Sequence, residues 1–323
     1  MSIISRVSIS ISIRMAHFYF RIRSWWPIWF YVVNGKNRRA FKAHASSMSA
    51  VQQRIISDLG RDGIAVAHID ELFPGTDMMA HFQRYTEERI REAETKTHKL
   101  FLKNLWDAVP IIDESNPFIP LALGDAILAT VNAYMQMFSY FFYLTLNVTT
   151  PVPEGSEAVQ SQRWHGDPED KKMCKVFLYL TDVDEGSGPF TYVLGTQYGG
   201  RWRHLFHDQP PRGMRAPLRP VSELVPASDI KLCMGRAGTI IFCDTSGYHR
   251  GGYATKRERI MLTLGYCSSA SAYPMRVRFE KGFIDEMAHR KINLAAQFAL
   301  KFAPGAITSR MFRVIKPHFK YGA

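Results

Sequence analysis

From Ser49 onward the apolar positions follow recognisable periods. SAVQQRIISDLGRDG places Val51, Ile55, Ile56 and Leu59 at helical spacing and predicts a helix ended by Gly60. GIAVAHI then predicts a short β-branched strand, and the charged, amphipathic residues 76–98 predict a long surface helix. No charged residue occurs between Asp125 and Glu154, yet the stretch does not read as a membrane span. It contains Asn132, Gln136 and Asn147, and its character changes midway. LALGDAILATVNAYMQ has the pattern of a helix, whereas SYFFYLTLNVT is aromatic and β-branched, as a buried strand is.

Residues 140–266 are strand-rich. KVFLYLTDV, GPFTYVLG, AGTIIFCDT and RERIMLTLGY are separated by Gly, Pro and Asp turns. Many short strands without alternating helices predict a mainly β core with flanking helices, a sandwich or jelly roll rather than a parallel α/β sheet. Helical patterning returns after Tyr273, in EKGFIDEMAHRKINLAAQFALKF.

The first 47 residues read differently. SISISIR alternates, HFYFRIRSWWPIWFYVV is aromatic and basic, and NGKNRRAFKAHASS is polar. The twelve residues between Arg23 and Lys36 include Pro27 and are too short for a span, which takes about 20 apolar residues. The order of a secretory signal is absent; an Arg- and Ser-rich, acid-free start is compatible with a transit peptide or an interfacial anchor. The plainer expectations are a poorly ordered extension, or Met48 as the natural start. The division expected is therefore a basic, poorly ordered extension over 1–47, a core domain over 48–270, and a helical tail over 271–323 packed on or extending that core.

Charge and cysteines narrow the function. Eight of the 41 Lys and Arg residues lie in residues 1–50, ahead of the first acid, Asp58; the other 33 face 29 acids, a net of only +4. A nucleic-acid-binding domain concentrates positive charge on its folded body, whereas most of the excess here sits on what reads as a tail, which argues against that function. With 13% aromatic and 22% charged residues the chain is neither disordered nor fibrous. Cys174, Cys233, Cys243 and Cys267 form no CxxC pair and read as reduced thiols, pointing to a cytoplasmic protein.

Candidate chemistry lies in RWHGDPED. Residues i and i+2 of an extended strand share a face, so the His165 imidazole and the Asp167 carboxylate can converge on one ion. His249, after the apolar strand of IIFCDTSGYHRGG, supplies a second imidazole. Two His and one carboxylate on one face of an octahedral ion leave the other face open, the arrangement of non-haem Fe(II) oxygenases that bind a co-substrate and O2 side by side. Arg259, ten residues beyond His249, has the geometry to pair bidentately with a distal carboxylate. Arg257 shares its strand parity and competes for that role.

Three ordered segments carry a resemblance: WHGDP, LYLTDVDEGSGPFTYVLGTQ and AGTIIFCDTSGYHRGGYATKRERIMLTLGY. Over roughly residues 50–270 the chain resembles the phytanoyl-CoA dioxygenase family. The resemblance implies a double-stranded β-helix (jelly roll, cupin-like), with His165, Asp167 and His249 as iron ligands and Arg259 anchoring 2-oxoglutarate. It also implies a dioxygenase that hydroxylates a small molecule with release of succinate and CO2. Desaturation, epimerisation or cyclisation at the same centre, or a non-catalytic β-helix binding protein, are the alternatives. Leu194-Gly195-Thr196-Gln197 departs from the family's Pro-Gly-Ser-His turn, while Asp167 is retained where related halogenases carry a small residue.

Substrate choice is less legible. RWRHLFHDQPPRGMRAPLRP holds Arg201, Arg203, Arg212, Arg215 and Arg219 against one acid, Asp208, suited either to an anionic substrate or to a solvated loop. His204 and His207 have ligand-like spacing without companion ligands, and Trp164 and Tyr179 are candidate walls of the site or plain core.

Overall fold

A computed structural model of the chain describes residues 3–44, 47–93, 101–113, 115–206, 214, 219–289, 292–301 and 306–318. In chain order the elements are α1 (Ile3–Arg23), a π-helical turn (Ile28–Val33), α2 (Gly35–Ala43), α3 (Ala50–Asp62), β1 (Ile64–His68), α4 (Ile69–Leu72) and α5 (Met78–Ala93). Then come β2 (Leu102–Asn104), β3 (Ile111–Ile112), α6 (Phe118–Leu123), α7 (Asp125–Met135), β4 (Tyr140–Thr149), β5 (Cys174–Tyr179) and β6 (Phe190–Val193). The chain continues through α8 (Val221–Leu224), β7 (Ile230–Cys233), β8 (Thr239–Cys243), β9 (His249–Arg250) and β10 (Arg259–Cys267). It finishes with β11 (Arg278–Phe279), α9 (Phe283–His289), α10 (Leu294–Leu300) and α11 (Ala306–Ile315).

Six strands form one antiparallel sheet in the order β1-β8-β5-β10-β4-β2, and a three-stranded antiparallel sheet runs β7-β6-β9. Period-2 alternation gives each strand of the large sheet two different jobs. Val176, Leu178, Leu144, Leu146, Val148, Leu262, Leu264, Ile240 and Phe242 point to the helical side, where they pack with Ile55, Leu59, Leu128 and Val131 of α3 and α7. Phe177, Tyr179, Ile241 and Cys243 point the other way and pack against Phe190, Tyr192 and Cys233 of the small sheet. On that inner face β4, β10 and β5 also place Thr145, Asn147, Thr149, Thr263, Lys175 and Arg259, by the register Arg259↔Thr149, Thr263↔Thr145, Thr263↔Phe177 and Gly265↔Lys175. Polar groups thus line an otherwise apolar interior.

Helix α3 begins with a reciprocal Ser49–Gln52 capping box and runs past Gly60 to end at Gly63, whose φ of 79° is the left-handed cap conformation. Gly60 costs helix stability but does not terminate it, because the apolar face through Leu59 is buried. The stretch before β4 breaks at Gly124 into α6 and α7, and the C-terminal stretch breaks into α9 and α10. All four cysteines are buried free thiols.

The N-terminal segment departs most from expectation. Instead of a poorly ordered extension over 1–47, its described residues are largely helical, and Trp29 and Phe30 are buried within the main core. Asn34 is fully buried, donating to the Trp29 carbonyl and the Ser268 hydroxyl, and Asn37 donates to the Phe138 carbonyl at 2.9 Å. The reason lies in the π turn: its i→i+5 bonding, Asn34 N to Trp29 O at 3.2 Å, breaks the 3.6-residue period, so SWWPIWFYVV shows no helical stripe. In the C-terminal tail, Ala296, Ala299 and Leu300 of α10 join the same core, and α11 packs Phe312 and Ile315 against Ala16 and Phe20 of α1.

Candidate metal centre

His165 and His249 face each other across an isolated antiparallel bridge. Each backbone N–H donates to the other's carbonyl, at 2.9 and 2.8 Å, which sets the two rings 4.3 Å apart. The Asp167 N–H donates to the Thr245 carbonyl at 2.7 Å, continuing the pairing and turning its carboxylate to the same side. Gly166 sits between them because a Cβ there would lie 3.0 Å from the Ser246 carbonyl oxygen and closer still to Met214. The local structure is thus a bridge between two short segments rather than a long strand, but the shared face of i and i+2 holds.

One donor atom from each of His165, Asp167 and His249 lies within 4.8 Å of the others. The Asp167 carboxylate oxygens are 3.6 Å from His165 Nε2 and 3.7 Å from His249 Nε2. A backbone carbonyl can only accept, so His165 Nδ1–H donates to Arg163 O at 2.8 Å and His249 Nδ1–H to Gly247 O at 2.9 Å. Both Nε2 lone pairs are thereby left for an ion, the usual arrangement behind a metal-bound histidine. The donor set fits a divalent first-row metal, and three donors leave open positions.

Charge around the triad is organised by Lys175. Its ammonium donates to Asp167 Oδ2 at 2.6 Å and lies 4.0 Å from Glu169. Burial works to raise the Asp167 pKa, but Lys175, His249 and His165 together hold it below the usual carboxylate range. Burial pushes the His249 imidazole down to about 3, His165 adding to the push and Asp167 opposing it. His249 is thus neutral at pH 7. Glu169 goes the other way: burial raises its pKa, and its Oε2 has no hydrogen-bond partner among the described residues.

The two candidate arginines part company. Arg259 is 3% exposed; it donates to the Gly188 carbonyl and to Thr149 Oγ1, and its Nε–H has no acceptor among the described residues. No carboxylate among the described residues pairs with it. Tyr179 lies beside it and accepts at its hydroxyl from the Phe190 N–H, and the Phe190 ring stands 5.4 Å from that of His249. Arg257 is exposed and paired with Asp184 at 2.9 Å.

No family model matches the chain, and no curated protein matches it. Among solved structures, the epimerase SnoN in complex with Fe3+, alpha-ketoglutarate and nogalamycin RO is similar over 70% of this chain and 87% of that one. The sequence identity is 19% and the TM-score 0.52. EctD from S. alaskensis with bound Fe is similar over 80% of this chain and 88% of that one, at 16% identity and a TM-score of 0.48. The fold is a double-stranded β-helix.

Within it the remaining sequence candidates fall into place. Trp164 stacks on Tyr248 in a separate apolar cluster with Phe206, away from the inner face, whereas Tyr179 is on that face. Arg201 bridges Asp62 and Asp229 at 2.8 and 2.7 Å, and Arg203 donates to the Thr196 and Ser246 carbonyls, so both hold the scaffold. Arg219 is exposed; Arg212, Arg215, Asp208 and His207 lie outside the described residues, and His204 stands beside Trp202 without a second ligand among them. In the run that departs from the family turn, Thr196 accepts from the Tyr248 N–H and Gln197 caps the end of α3 at Gly60 O and Arg61 O. Lys175, Glu169 and the polar row of β4 were not singled out from the sequence. The mark of β4 there is a polar residue at every second position from Thr145 to Thr149, whereas Lys175 is a lone charge at the start of an apolar strand and Glu169 lies in the loop before it.

Proposed function

We propose that the chain is a non-haem Fe(II)- and 2-oxoglutarate-dependent dioxygenase of the phytanoyl-CoA dioxygenase type, hydroxylating a small molecule with release of succinate and CO2. The observation that carries this reading is the pairing of two features beside the inner face of the large sheet. A His-Asp-His cluster has both imidazole Nε2 atoms turned inward, and a buried guanidinium has no carboxylate partner among the described residues. His165, Asp167 and His249 would hold the metal, and Arg259 would receive the distal carboxylate of 2-oxoglutarate. The resemblance in WHGDP and in the segment from Ala237 to Tyr266 supports the same assignment.

With both bound, the metal and co-substrate supply the activation of O2, coupled to oxidative decarboxylation of 2-oxoglutarate. The chain's own residues do the rest. Gly247 and Arg163 carbonyls orient the two imidazoles, and Lys175 keeps Asp167 ionised. Thr149 and Gly188 fix the guanidinium before the dicarboxylate arrives, so little ordering remains to be done on binding. Phe177, Phe190 and Tyr192 exclude water from the inner face.

SnoN is an epimerase, so the outcome at the substrate carbon is the alternative to be separated. Incubating the protein with a metabolite extract, Fe(II) and 2-oxoglutarate, and searching by mass for a product that gains one oxygen, tests the reading. Succinate formation with no oxygen gain would favour epimerisation, desaturation or cyclisation. No Fe(II) binding, or no succinate, would leave a β-helix binding protein. Asp167→Ala and His249→Ala should each abolish Fe-dependent succinate formation, and unchanged turnover in either would overturn the ligand assignment.

A further inference from the structure

Ile11, Met15, Phe18 and Ile22 recur on α1 at spacings of four, three and four, and all four are exposed. At ~100° per residue they fall within about 60° of one another, a single narrow stripe. Helix α1 is not free to roll this stripe inward. Its opposite side holds Ala16 and Phe20 against Phe312 and Ile315, and the Tyr19 hydroxyl bonds Thr308 at 2.7 Å. Trp25 follows the stripe at 64% exposure, and Tyr31 and Val32 are exposed on the π turn. Seven of the thirteen exposed large hydrophobic side chains among the described residues therefore lie between positions 11 and 32. Scattered exposed apolar residues need no explanation, but an aligned stripe does.

The charge beside it selects a partner. Arg14 and Arg21 are exposed and, at ~100° per residue, flank the stripe on one side. Lys36, Arg39 and Lys42 of α2 are exposed as well, and no acid occurs before Asp58. An apolar stripe with aromatic residues and unbalanced positive charge is the pattern of a helix lying in a bilayer interface, its apolar side chains among the acyl chains and its cations among anionic headgroups. No helix of the described residues is long and apolar enough to cross a membrane, so the contact is with one leaflet.

We propose that the outer face of α1 is a docking surface for an anionic lipid bilayer. The inference is independent of the metal centre. The full chain should co-sediment with phosphatidylcholine vesicles containing about a third phosphatidylglycerol and not with phosphatidylcholine alone, and the binding should weaken from about 0.1 M to about 1 M salt. Phe18→Glu with Ile22→Glu should weaken it about ten-fold or more. Arg14→Glu with Arg21→Glu should weaken it at least about five-fold per cation removed. Both pairs are exposed, so the melting temperature serves as the folding control, and the milder Phe18→Ser with Met15→Ser is the second variant should the charged one melt early. The proposal is overturned if the wild-type chain ignores anionic vesicles, or if the folded stripe variants bind them undiminished. It is equally overturned if light scattering finds a dimer that Phe18→Ser dissolves while vesicles are not bound, which would make the face a contact between two copies.

Discussion

The indole N–H of Trp29 donates to Asp170 Oδ1 at 2.8 Å, three residues beyond Asp167. Asp170 Oδ2 accepts from the Ser268 N–H at 2.7 Å, and Ser268 in turn is held by Asn34. The N-terminal segment, the loop carrying Asp167 and the turn after β10 are therefore one hydrogen-bonded unit. Trp29→Phe keeps most of the packing and removes the donor to a buried carboxylate, which should cost about 1–2 kcal/mol of stability. It should also loosen Asp167. Thermal melts together with Co(II) titration followed by absorption check both, and an unchanged Co(II) affinity would confine Trp29 to the scaffold.

Lys175→Met should be more severe. It leaves Asp167 and Glu169 buried without their shared cation, and breaking a buried pair from one side costs about 3 kcal/mol. Lys175→Arg should restore part of that stability. Chemical denaturation of the metal-free protein measures the loss, and a drop below about 1 kcal/mol would mean that water replaces the ammonium.

Arg259→Lys should raise the 2-oxoglutarate concentration needed for half-maximal succinate formation by about ten-fold or more, because an ammonium cannot pair bidentately. Arg257→Ala, which releases only the exposed pair with Asp184, should leave that requirement unchanged. The reverse result would move the anchor to Arg257.

The acid stability of the metal-free protein should report His249. Its folded pKa is depressed to about 3, mainly by burial, against about 6.5 for an unfolded histidine. The unfolded chain therefore binds the extra proton first, so the contribution is fully present above about pH 6.5 and is lost as the pH falls towards 3. His249→Gln should flatten the fall in denaturation midpoint across that window. An unaltered slope would show that another group titrates there.

The strands β1, β4, β5, β6, β8 and β10 were legible because apolar and β-branched runs bounded by turn residues are local signals, needing no knowledge of the partner strand. His165 and Asp167 could be paired from sequence because the i, i+2 face is a property of the backbone itself, whereas His249, across a turn from β8, was reached only through the order of the motifs. The end of α3 was misjudged at Gly60 since a glycine's propensity is local, whereas its tolerance there depends on Leu59 being buried from the far side.

Composition, periodicity and motif order by themselves determined the β-rich core, the candidate triad and a pair of competing arginines. Only tertiary structure separated Arg259 from Arg257, since both share strand parity and differ in what surrounds them: an interior without a carboxylate partner among the described residues in one case, Asp184 and solvent in the other. It likewise anchored residues 25–44 to the core, because the burial of Trp29, Asn34 and Asn37 depends on partners about 100 to 235 positions away. Contacts at that separation leave no periodic trace, for they are set by how layers meet and not by how one segment repeats.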